Sequence, residues 1–318
     1  MNTSSNGFSI AVIIPCFNEA LAIGQVLESF KTVLPEAALH VFDNNSTDGT
    51  AQVASACGAS VTHVQLRGKG NVVRRMFADV DADIYIMVDG DATYDISSLR
   101  EHIAMLVHKK LDMLVGCRQD GGDNPLTYRP GHRWGNRLLT GSVSRIFGGT
   151  FSDMLSGYRI FSKRYAKSFP AISKGFEIET ELTVHALGLR MPYAEVPTTY
   201  LSRPEGSESK LSTYRDGWRI LKTILKLFIS ERPLAFFTIV AGILAALSIT
   251  LAIPLAITYM QTGLVPRLPT AVLVTGGMLS ALLSLVCGAV LDTVTQGRQE
   301  LKHLAYLRIP ATGCTAQR

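Results

Sequence analysis

The sequence is short of charged residues and of cysteines. Charged residues make up 18% of the 318 positions, whereas about 25% is usual in a soluble protein, so we expect part of the chain to avoid water. The five cysteines are scattered, with no close pair. This spacing argues against a zinc site, and an odd, scattered set argues against a disulfide framework. A reducing compartment therefore fits the sequence.

Several nucleotide and metal signatures are also missing. The chain has no Gly-x-x-x-x-Gly-Lys sequence and no Gly-x-Gly-x-x-Gly after its first predicted strand, which disfavours P-loop and dinucleotide-dependent enzymes. The seven histidines show no metal-ligand spacing. Residues 1–8 carry no signal-peptide pattern. Net charge is only +5 and the basic residues match no nucleic-acid motif, so we expect no nucleic-acid partner.

Two long uncharged runs occupy the C-terminal third of the chain. Residues 234–259 and 270–291 contain no Asp, Glu, Lys, Arg or His, and each exceeds the roughly 20 residues that cross a bilayer as a helix. The linker between them is too short for a domain. The sequence therefore predicts a transmembrane hairpin over residues 233–292, and a buried pair of soluble helices is the alternative.

Basic residues flank this hairpin on both sides, whereas its linker carries only Arg267. They are Arg215, Arg219, Lys222, Lys226 and Arg232 before it, and Arg298, Lys302, Arg308 and Arg318 after it. The positive-inside rule then places both ends of the hairpin in the cytoplasm. We expect a multi-pass protein of the inner (cytoplasmic) membrane, with residues 1–213 as a cytoplasmic domain and residues 293–318 as a cytoplasmic tail.

The segment before the hairpin, residues 214–232, has the pattern of a helix lying in the membrane surface. Apolar residues recur at helical spacing and basic residues occupy another face: Trp218, Leu221, Leu225 and Phe228 against Arg215, Arg219, Lys222 and Lys226. This profile is typical of an interfacial helix. An ordinary amphipathic surface helix is the alternative, but the position beside a membrane span favours the bilayer as partner.

The rest of the chain alternates apolar strands with helical segments. Strands are predicted at residues 10–14, 39–42, 61–66, 84–88 and 113–115, and helices at 20–33, 50–57, 71–78 and 96–108. Alternation at this spacing predicts an α/β fold with a doubly wound, mostly parallel sheet.

Two carboxylates, Asp89 and Asp91, directly follow the predicted strand 84–88. Ligands of open α/β sheets bind beyond the carboxyl ends of the strands. Two carboxylates one residue apart can converge on one hard cation, and Mg²⁺ and Mn²⁺ favour carboxylate and phosphate oxygens. The pattern predicts a site for a metal-bound diphosphate, and an ordinary loop start is the alternative.

Other predicted strands end in polar groups at the same edge of the sheet. Asp43 follows the second strand and is suited to accept hydrogen bonds from a nucleobase or ribose. Lys69 follows the third strand, where it is suited to pair with a phosphate. The flanking Gly68 and Gly70 would let the backbone approach a ligand.

The ordered set of motifs resembles the family-two inverting glycosyltransferases. Residues 12–19, 43–50 and 89–91 resemble their nucleotide-sugar half. Residues 153–159 and 203–211 resemble the polyprenyl-phosphate branch, which includes dolichyl-phosphate mannose synthases and undecaprenyl-phosphate glycosyltransferases. The resemblance covers about residues 10–230 and implies a sheet of the GT-A type, with the two-helix tail of some bacterial members.

The resemblance also implies roles for individual residues. The nucleotide sugar would be held by Pro15, Asn18, Glu19, Asp43, Lys69, Asp89 and Glu179. The expected catalytic residues are Asp91, Asp153, Arg203 and Lys210. Asp89 and Asp91 would bind Mg²⁺ or Mn²⁺ on the diphosphate. Some relatives have Gln where this chain has Thr93, so a third protein ligand to the metal is in doubt.

Asp153 stands where many members of the superfamily place a general base for an acceptor hydroxyl. A polyprenyl phosphate, with a second pKa of about 6 by analogy with phosphoserine, is largely dianionic at pH 7 and hardly needs a base. We therefore expect Asp153 to position the acceptor or a basic partner, or to assist only weakly. Candidate ligands of the lipid phosphate are Arg118, Arg129, Arg133 and Asn136, for which a solvated basic face is the alternative.

The implied reaction is metal-dependent, inverting transfer of a hexose-type sugar from a nucleoside-diphosphate sugar to a polyprenyl phosphate on the cytoplasmic leaflet. A hydroxyl acceptor on a glycolipid or glycan is the second hypothesis, and a non-catalytic membrane scaffold is the third. The sequence identifies neither the sugar, nor UDP against GDP, nor the lipid length. It also leaves open whether the hairpin only anchors the protein or packs protomers into a homo-oligomer.

Overall fold

The computed structural model describes residues 7–120, 141, 148, 151–175, 177–201 and 213–313. The chain divides into two compact units. The first comprises Met1–Ile224 together with Lys302–Arg318, and the second comprises Leu225–Leu301.

A seven-stranded sheet forms the centre of the first unit. Its strands are β1 (Ile10–Cys16), β2 (Ala38–Asp43), β3 (Ser60–His63), β4 (Ile84–Met87), β5 (Met113–Asp120), β6 (Arg159–Ser162) and β7 (Tyr193–Tyr200). The strand order is β3-β2-β1-β4-β6-β5-β7. All pairings are parallel except those of β6, which runs antiparallel to β4 and β5. The predicted mostly parallel α/β sheet is confirmed.

The described part of the first unit contains six helices, and a seventh leads out of it. They are α1 (Ala20–Val33), α2 (Thr50–Ala56), α3 (Lys69–Asp79), α4 (Leu99–His108), α5 (Lys163–Ser168), α6 (Ile178–Gly188) and α7 (Thr213–Glu231). The sheet has an apolar core on each face, because successive strand residues point to opposite sides. Ile13 and Tyr85 pack in one core and Ile14 and Ile86 in the other.

The third strand is shorter than predicted, because a side chain, rather than the backbone of β2, binds the carbonyls that follow it. The prediction extends to Leu66, but β3 ends at His63. The side-chain Nδ2 of Asn44 donates to the carbonyls of Val64 and Leu66, at 2.9 and 2.8 Å. These carbonyls therefore bind a side chain from the end of β2, and the chain turns toward α3.

Two long apolar helices, α8 (Pro233–Thr262) and α9 (Leu268–Leu307), make up most of the second unit. Both are long and apolar enough to cross a membrane. Small residues allow close contact between them, because a Cβ at Gly277 would meet Ser248 Oγ at 2.2 Å and one at Gly288 would meet Phe237 Cβ at 2.8 Å. Helix α9 runs well past residue 291, where the predicted span ends.

Polar contacts close the base of this helix pair. The carbonyl of Ser230 accepts hydrogen bonds from Arg298 Nη2 at 2.6 Å and from Thr295 Oγ1 at 3.1 Å. Arg298 also lies 3.6 Å from Glu231. The last turn of α7 thus has its backbone acceptors satisfied by side chains of α9, which fixes the turn into α8.

The C-terminal end of α9 rejoins the first unit. Tyr306 donates its hydroxyl to Asp112 Oδ2 at 2.8 Å, and its ring lies 4.6 Å from the guanidinium of Arg164. Asp112 is fully buried and also accepts hydrogen bonds from Arg164 and Ser162. The chain therefore leaves the first unit at Ile224 and returns to it at Lys302.

Candidate active site

The loops after β1 and β2 are tied together by side chains. Asn18 has a left-handed backbone, with φ of 54°, and its Oδ1 accepts a hydrogen bond from Thr47 N at 2.8 Å. Glu19 N donates to Thr50 Oγ1 at 2.8 Å, and Ala20 N donates to Asp48 Oδ2 at 3.0 Å. These contacts set the position of Pro15 and Glu19, the predicted nucleotide ligands, against the loop that carries Asp43.

Asp43 lies at the carboxyl end of β2 with 3% of its surface exposed. Its Oδ2 accepts a hydrogen bond from Ser46 N at 3.3 Å and lies 3.3 Å from His63 Nδ1. Its Oδ1 is buried and has no hydrogen-bond partner among the residues that the structure describes. A buried acceptor without a partner is costly, so this oxygen is suited to a donor group of a ligand.

Gly68 and Gly70 serve the packing of the protein, a role that differs from the ligand approach predicted for them. A Cβ on either residue would lie 2.1 Å from a backbone carbonyl, of Lys174 or Ser173 respectively. The 172–173 backbone is in turn held by Glu181, whose carboxylate accepts from Ile172 N and Ser173 N at 2.8 and 2.7 Å.

Lys69 bridges two carboxylates that the sequence places far apart. Its ammonium lies 2.5 Å from Asp89 Oδ1 and 2.6 Å from Glu179 Oε1. Burial disfavours a charged Lys69, but the two carboxylates outweigh this effect and raise its pKa. Burial raises the pKa of Glu179, against the opposing charge of Lys69. Three of the predicted donor-binding residues thus form one cluster.

Asp89 is pressed against the backbone of the 151–157 segment. A Cβ at Gly157 would lie 2.1 Å from Asp89 Oδ2, so any larger residue there would displace the Asp89 carboxylate. The amide of Gly157 donates to Tyr94 Oη at 2.8 Å. Tyr94 is buried, which raises its pKa and keeps the hydroxyl protonated. This segment and the Asp89 loop therefore fix each other.

Asp91 is buried and oriented by its own loop. Thr93 donates its hydroxyl to Asp91 Oδ1 at 2.6 Å. Thr93, which stands where some relatives have Gln, therefore orients Asp91, a candidate metal ligand. Among the described residues no group of three or more His, Cys, Asp or Glu is placed to hold a metal. Two carboxylates still fit Mg²⁺ or Mn²⁺, because such sites draw their other ligands from substrate phosphates and water.

Asp153 and Arg118 form an ion pair with two parallel hydrogen bonds. Asp153 Oδ2 accepts from Arg118 Nε at 2.7 Å, and Oδ1 accepts from Nη2 at 2.8 Å. The guanidinium also lies 5.7 Å from the ring centre of Tyr200. Geometry of this kind is the strongest that a carboxylate and an arginine make. Asp153 therefore has Arg118 as a basic partner, and its role in positioning the acceptor stays a prediction.

Several residues that position this site were missed at the level of sequence. Arg159 is fully buried, and its guanidinium donates to the carbonyls of Ser156 and Met154 at 3.0 and 2.5 Å. Asn44 Oδ1 accepts from Gly68 N at 2.7 Å. Glu195 binds the backbone next to Asp153. The sequence signal for two of them is that Asn44 lies within residues 43–50 and Arg159 within residues 153–159, two of the motifs that carry the family resemblance.

Five predicted site residues lie outside the described part of the chain. They are Arg129, Arg133, Asn136, Arg203 and Lys210. Their roles stay predictions.

Comparison with known proteins identifies the family. Residues 11–169 match the family Glycosyl transferase family 2, and the chain belongs to it. Over 154 residues the chain is 60% identical to an uncharacterized protein of Shigella flexneri, which covers 48% of this chain and 94% of that protein. Glycosyltransferase AglJ of Haloferax volcanii is 31% identical over 312 residues, 94% of this chain and 98% of AglJ.

A dolichyl-phosphate hexose transferase of Haloferax volcanii is more distant. It is 26% identical over 223 residues, which are 70% of this chain and 95% of that enzyme. Among solved structures, glucosyl-3-phosphoglycerate synthase from Mycobacterium tuberculosis in complex with Mn²⁺ and UDP-glucose superposes with a TM-score of 0.55 at 23% identity. The match covers 70% of this chain and 79% of that one and supports the GT-A-type fold.

Proposed function

We propose that this glycosyltransferase moves a hexose-type sugar from a nucleoside-diphosphate sugar to a polyprenyl phosphate, with inversion and with Mg²⁺ or Mn²⁺ as cofactor. The observation that carries the proposal is the Asp153–Arg118 pair. A carboxylate that accepts two hydrogen bonds from a guanidinium is stabilised in its charged form and is a poor proton acceptor. An acceptor that is already anionic has no need of a base, whereas a hydroxyl does.

The donor half of the site supports a nucleotide sugar. Pro15, Asn18 and Glu19 lie on the loop beside Asp43, whose buried Oδ1 is suited to a donor group of the base or ribose. Asp89 and Asp91 would hold the metal, which when bound neutralises charge on the leaving diphosphate. A structural relative binds Mn²⁺ and UDP-glucose.

The sugar would sit next to the Lys69 cluster. Glu179 is held in place by Lys69 and has a second buried oxygen, Oε2, with no partner among the described residues. Such an oxygen is suited to accept a hydrogen bond from a sugar hydroxyl. Fixing the sugar in this way would align its anomeric carbon for in-line attack, and positioning of this kind supplies much of the rate in such transfers.

The acceptor half requires cations, because an anion must approach an anionic donor. Arg118 is the candidate that the structure describes, and Asp153 holds its guanidinium in one orientation. Arg129, Arg133 and Asn136 are proposed to complete the lipid-phosphate site. Arg203 and Lys210 are proposed to approach the donor phosphates. The dolichyl-phosphate hexose transferase relative supports a lipid phosphate as acceptor.

The chain path supports the proposed membrane position. The first unit contains residues on both sides of the apolar helix pair, which fits a hairpin that enters and leaves the bilayer on one face. Trp218, Leu221 and Leu225 of α7 are exposed apolar residues, and Lys222 lies 5.4 Å from the Trp218 ring. With the basic flanks, this supports a cytoplasmic catalytic unit on the inner membrane.

The test is a direct assay of the purified protein. It would be incubated with Mg²⁺ or Mn²⁺, undecaprenyl or dolichyl phosphate, and a panel of UDP- and GDP-sugars, and the lipid products identified by mass. One donor should give a sugar-phosphate-lipid product that disappears with EDTA. No product from any donor with either lipid would overturn the proposal, and transfer to a glycolipid hydroxyl in a parallel reaction would replace it.

A further inference from the structure

Glu195 lies on the edge strand β7, beside the segment that carries Asp153. Its two carboxylate oxygens accept from the amide of Ser152, at 2.9 and 3.0 Å. The Ser152 hydroxyl donates to Oε2 at 3.0 Å, and Asp153 N donates to Oε1 at 3.3 Å. One carboxylate therefore binds two successive backbone amides next to the ion pair.

A second contact holds the same segment to the same strand. The Phe151 ring stacks on the Tyr193 ring, with centres 4.2 Å apart and planes 12° from parallel. Tyr193 and Glu195 are two residues apart in β7, so they share a face of the strand. The edge strand thus holds residues 151–153 through one aromatic contact and one set of hydrogen bonds.

This attachment reaches two other parts of the site. The Asp153 carboxylate oxygens that meet Arg118 are four covalent bonds from the Asp153 amide nitrogen that Glu195 binds, on the order of 5 Å. Four residues further on, Gly157 packs against Asp89 Oδ2. A shift of Ser152 would therefore be transmitted to the Asp153–Arg118 pair and to the Asp89 loop.

We propose that Glu195 is a positioning residue of the transfer reaction. The proposal rests on the proposed function, because it assigns to Glu195 the alignment of Asp153 and Arg118 toward an anionic acceptor. Glu195 acts through Asp153 and needs no contact with substrate. Its charge matters because a carboxylate offers acceptors on both oxygens, whereas an amide offers only one.

The test compares Glu195→Gln with Glu101→Gln, a change of the same charge at an exposed position of α4. Glu195→Gln should lower kcat/KM for the lipid phosphate about tenfold, the equivalent of one hydrogen bond to a charged group. The KM for the nucleotide sugar should be unchanged, and Glu101→Gln should match the wild type. In an Asp153→Asn background, Glu195→Gln should cost less than about twofold, because the residue it positions is gone.

A merely structural role gives a different result. Glu195→Gln would then lower Tm, and it would reduce the activity of the Asp153→Asn variant by the same factor as that of the wild type. Either equal factors or an unchanged kcat/KM for the lipid phosphate would overturn the proposal.

Hydrogen–deuterium exchange provides a readout that does not depend on the acceptor. In Glu195→Gln, peptides spanning residues 151–157 should exchange faster while the rest of the sheet keeps its protection. Unchanged protection of these peptides would overturn the role of Glu195. If the wild-type protein makes no lipid-linked product, the proposed function fails, and the exchange result still decides whether Glu195 holds this segment.

Discussion

The carboxylate of Asp153 is bound by the guanidinium of Arg118 through two hydrogen bonds, at 2.7 and 2.8 Å. The pair is largely buried, with 14% of the Arg118 side chain and 7% of the Asp153 side chain exposed. Both oxygens of Asp153 are engaged by Arg118, so a substitution can test whether Asp153 positions Arg118 or acts as a general base.

Asp153→Asn should keep kcat for a lipid phosphate within about tenfold of the wild type, because a general base typically contributes about 100-fold or more. The KM for the lipid should rise, since Arg118 loses its partner. Steady-state kinetics with purified enzyme and varied lipid phosphate would measure both. A loss of kcat beyond about 100-fold would show that Asp153 acts as a base. Asp81→Asn, the same change at an exposed position, is the matched control.

Lys69→Met should destabilise the protein by about 3 kcal/mol, because it leaves the buried Glu179 without its cation. Thermal unfolding in detergent, followed at fixed protein concentration, would measure the change. The double variant Lys69→Met with Glu179→Leu should recover part of the loss. A Lys69→Met protein as stable as the wild type would mean that the cluster contributes nothing to folding.

The stability of the Lys69→Met variant should also depend on pH. Burial raises the pKa of Glu179 in the folded protein, and the opposing effect of Lys69 is absent in the variant. The folded state then binds the proton more tightly than the unfolded state, so stability falls as pH rises above the unfolded pKa of Glu, about 4.3. Lowering the pH from 7 toward 5 should therefore narrow the gap in Tm between variant and wild type, and a constant gap would contradict this.

Gly157→Ala should lower kcat about 100-fold, since its Cβ would displace the Asp89 carboxylate and small misplacements in an active site cost this much. The displacement follows from the 2.1 Å approach to Asp89 Oδ2. Gly188→Ala, where a Cβ has nothing within 4 Å, is the control and should be fully active. Near-normal activity of Gly157→Ala would show that Asp89 can move without consequence.

Thr93→Val should weaken Mn²⁺ binding in the presence of nucleoside diphosphate about tenfold, because it removes a hydrogen bond to a charged carboxylate. Thr93→Ser keeps the hydroxyl that binds Asp91 Oδ1 and should behave like the wild type. Titration of Mn²⁺ followed by electron paramagnetic resonance measures the affinity directly. Equal affinity in both variants would separate Thr93 from the metal site.

The predictable parts of this molecule are those encoded locally. Helix α1 lies where the apolar periodicity predicts it, over Ala20–Val33, and Asp89 and Asp91 follow a buried strand as predicted. Lys69 was predicted to bind the donor from its place after the third strand, and the structure pairs it with Asp89, another predicted donor ligand. Its actual partners include Glu179, 110 positions away along the chain, and no local pattern indicates such a contact.

The residues that position the site escaped prediction for the same reason. Glu195 holds the amide of Ser152 across 43 positions, and Tyr94 holds that of Gly157 across 63. Arg118 and Asp153 were assigned separately, one to the lipid and one to a basic partner, because their pairing depends on how the segment after β5 returns to the sheet. Packing of distant segments, rather than residue type, determines these contacts.

Tyr306 on Asp112 makes the apolar hairpin an insertion in the catalytic unit rather than an appendage to it. The unit is completed only by a segment that follows the hairpin in the chain. During synthesis, residues 1–224 are therefore made before Lys302–Arg318, the segment that completes the first unit, and both apolar helices are made in between. Folding of the first unit is in this way completed only after both apolar helices have been made, and a chain truncated before Lys302 would leave the Asp112 carboxylate without one of its partners.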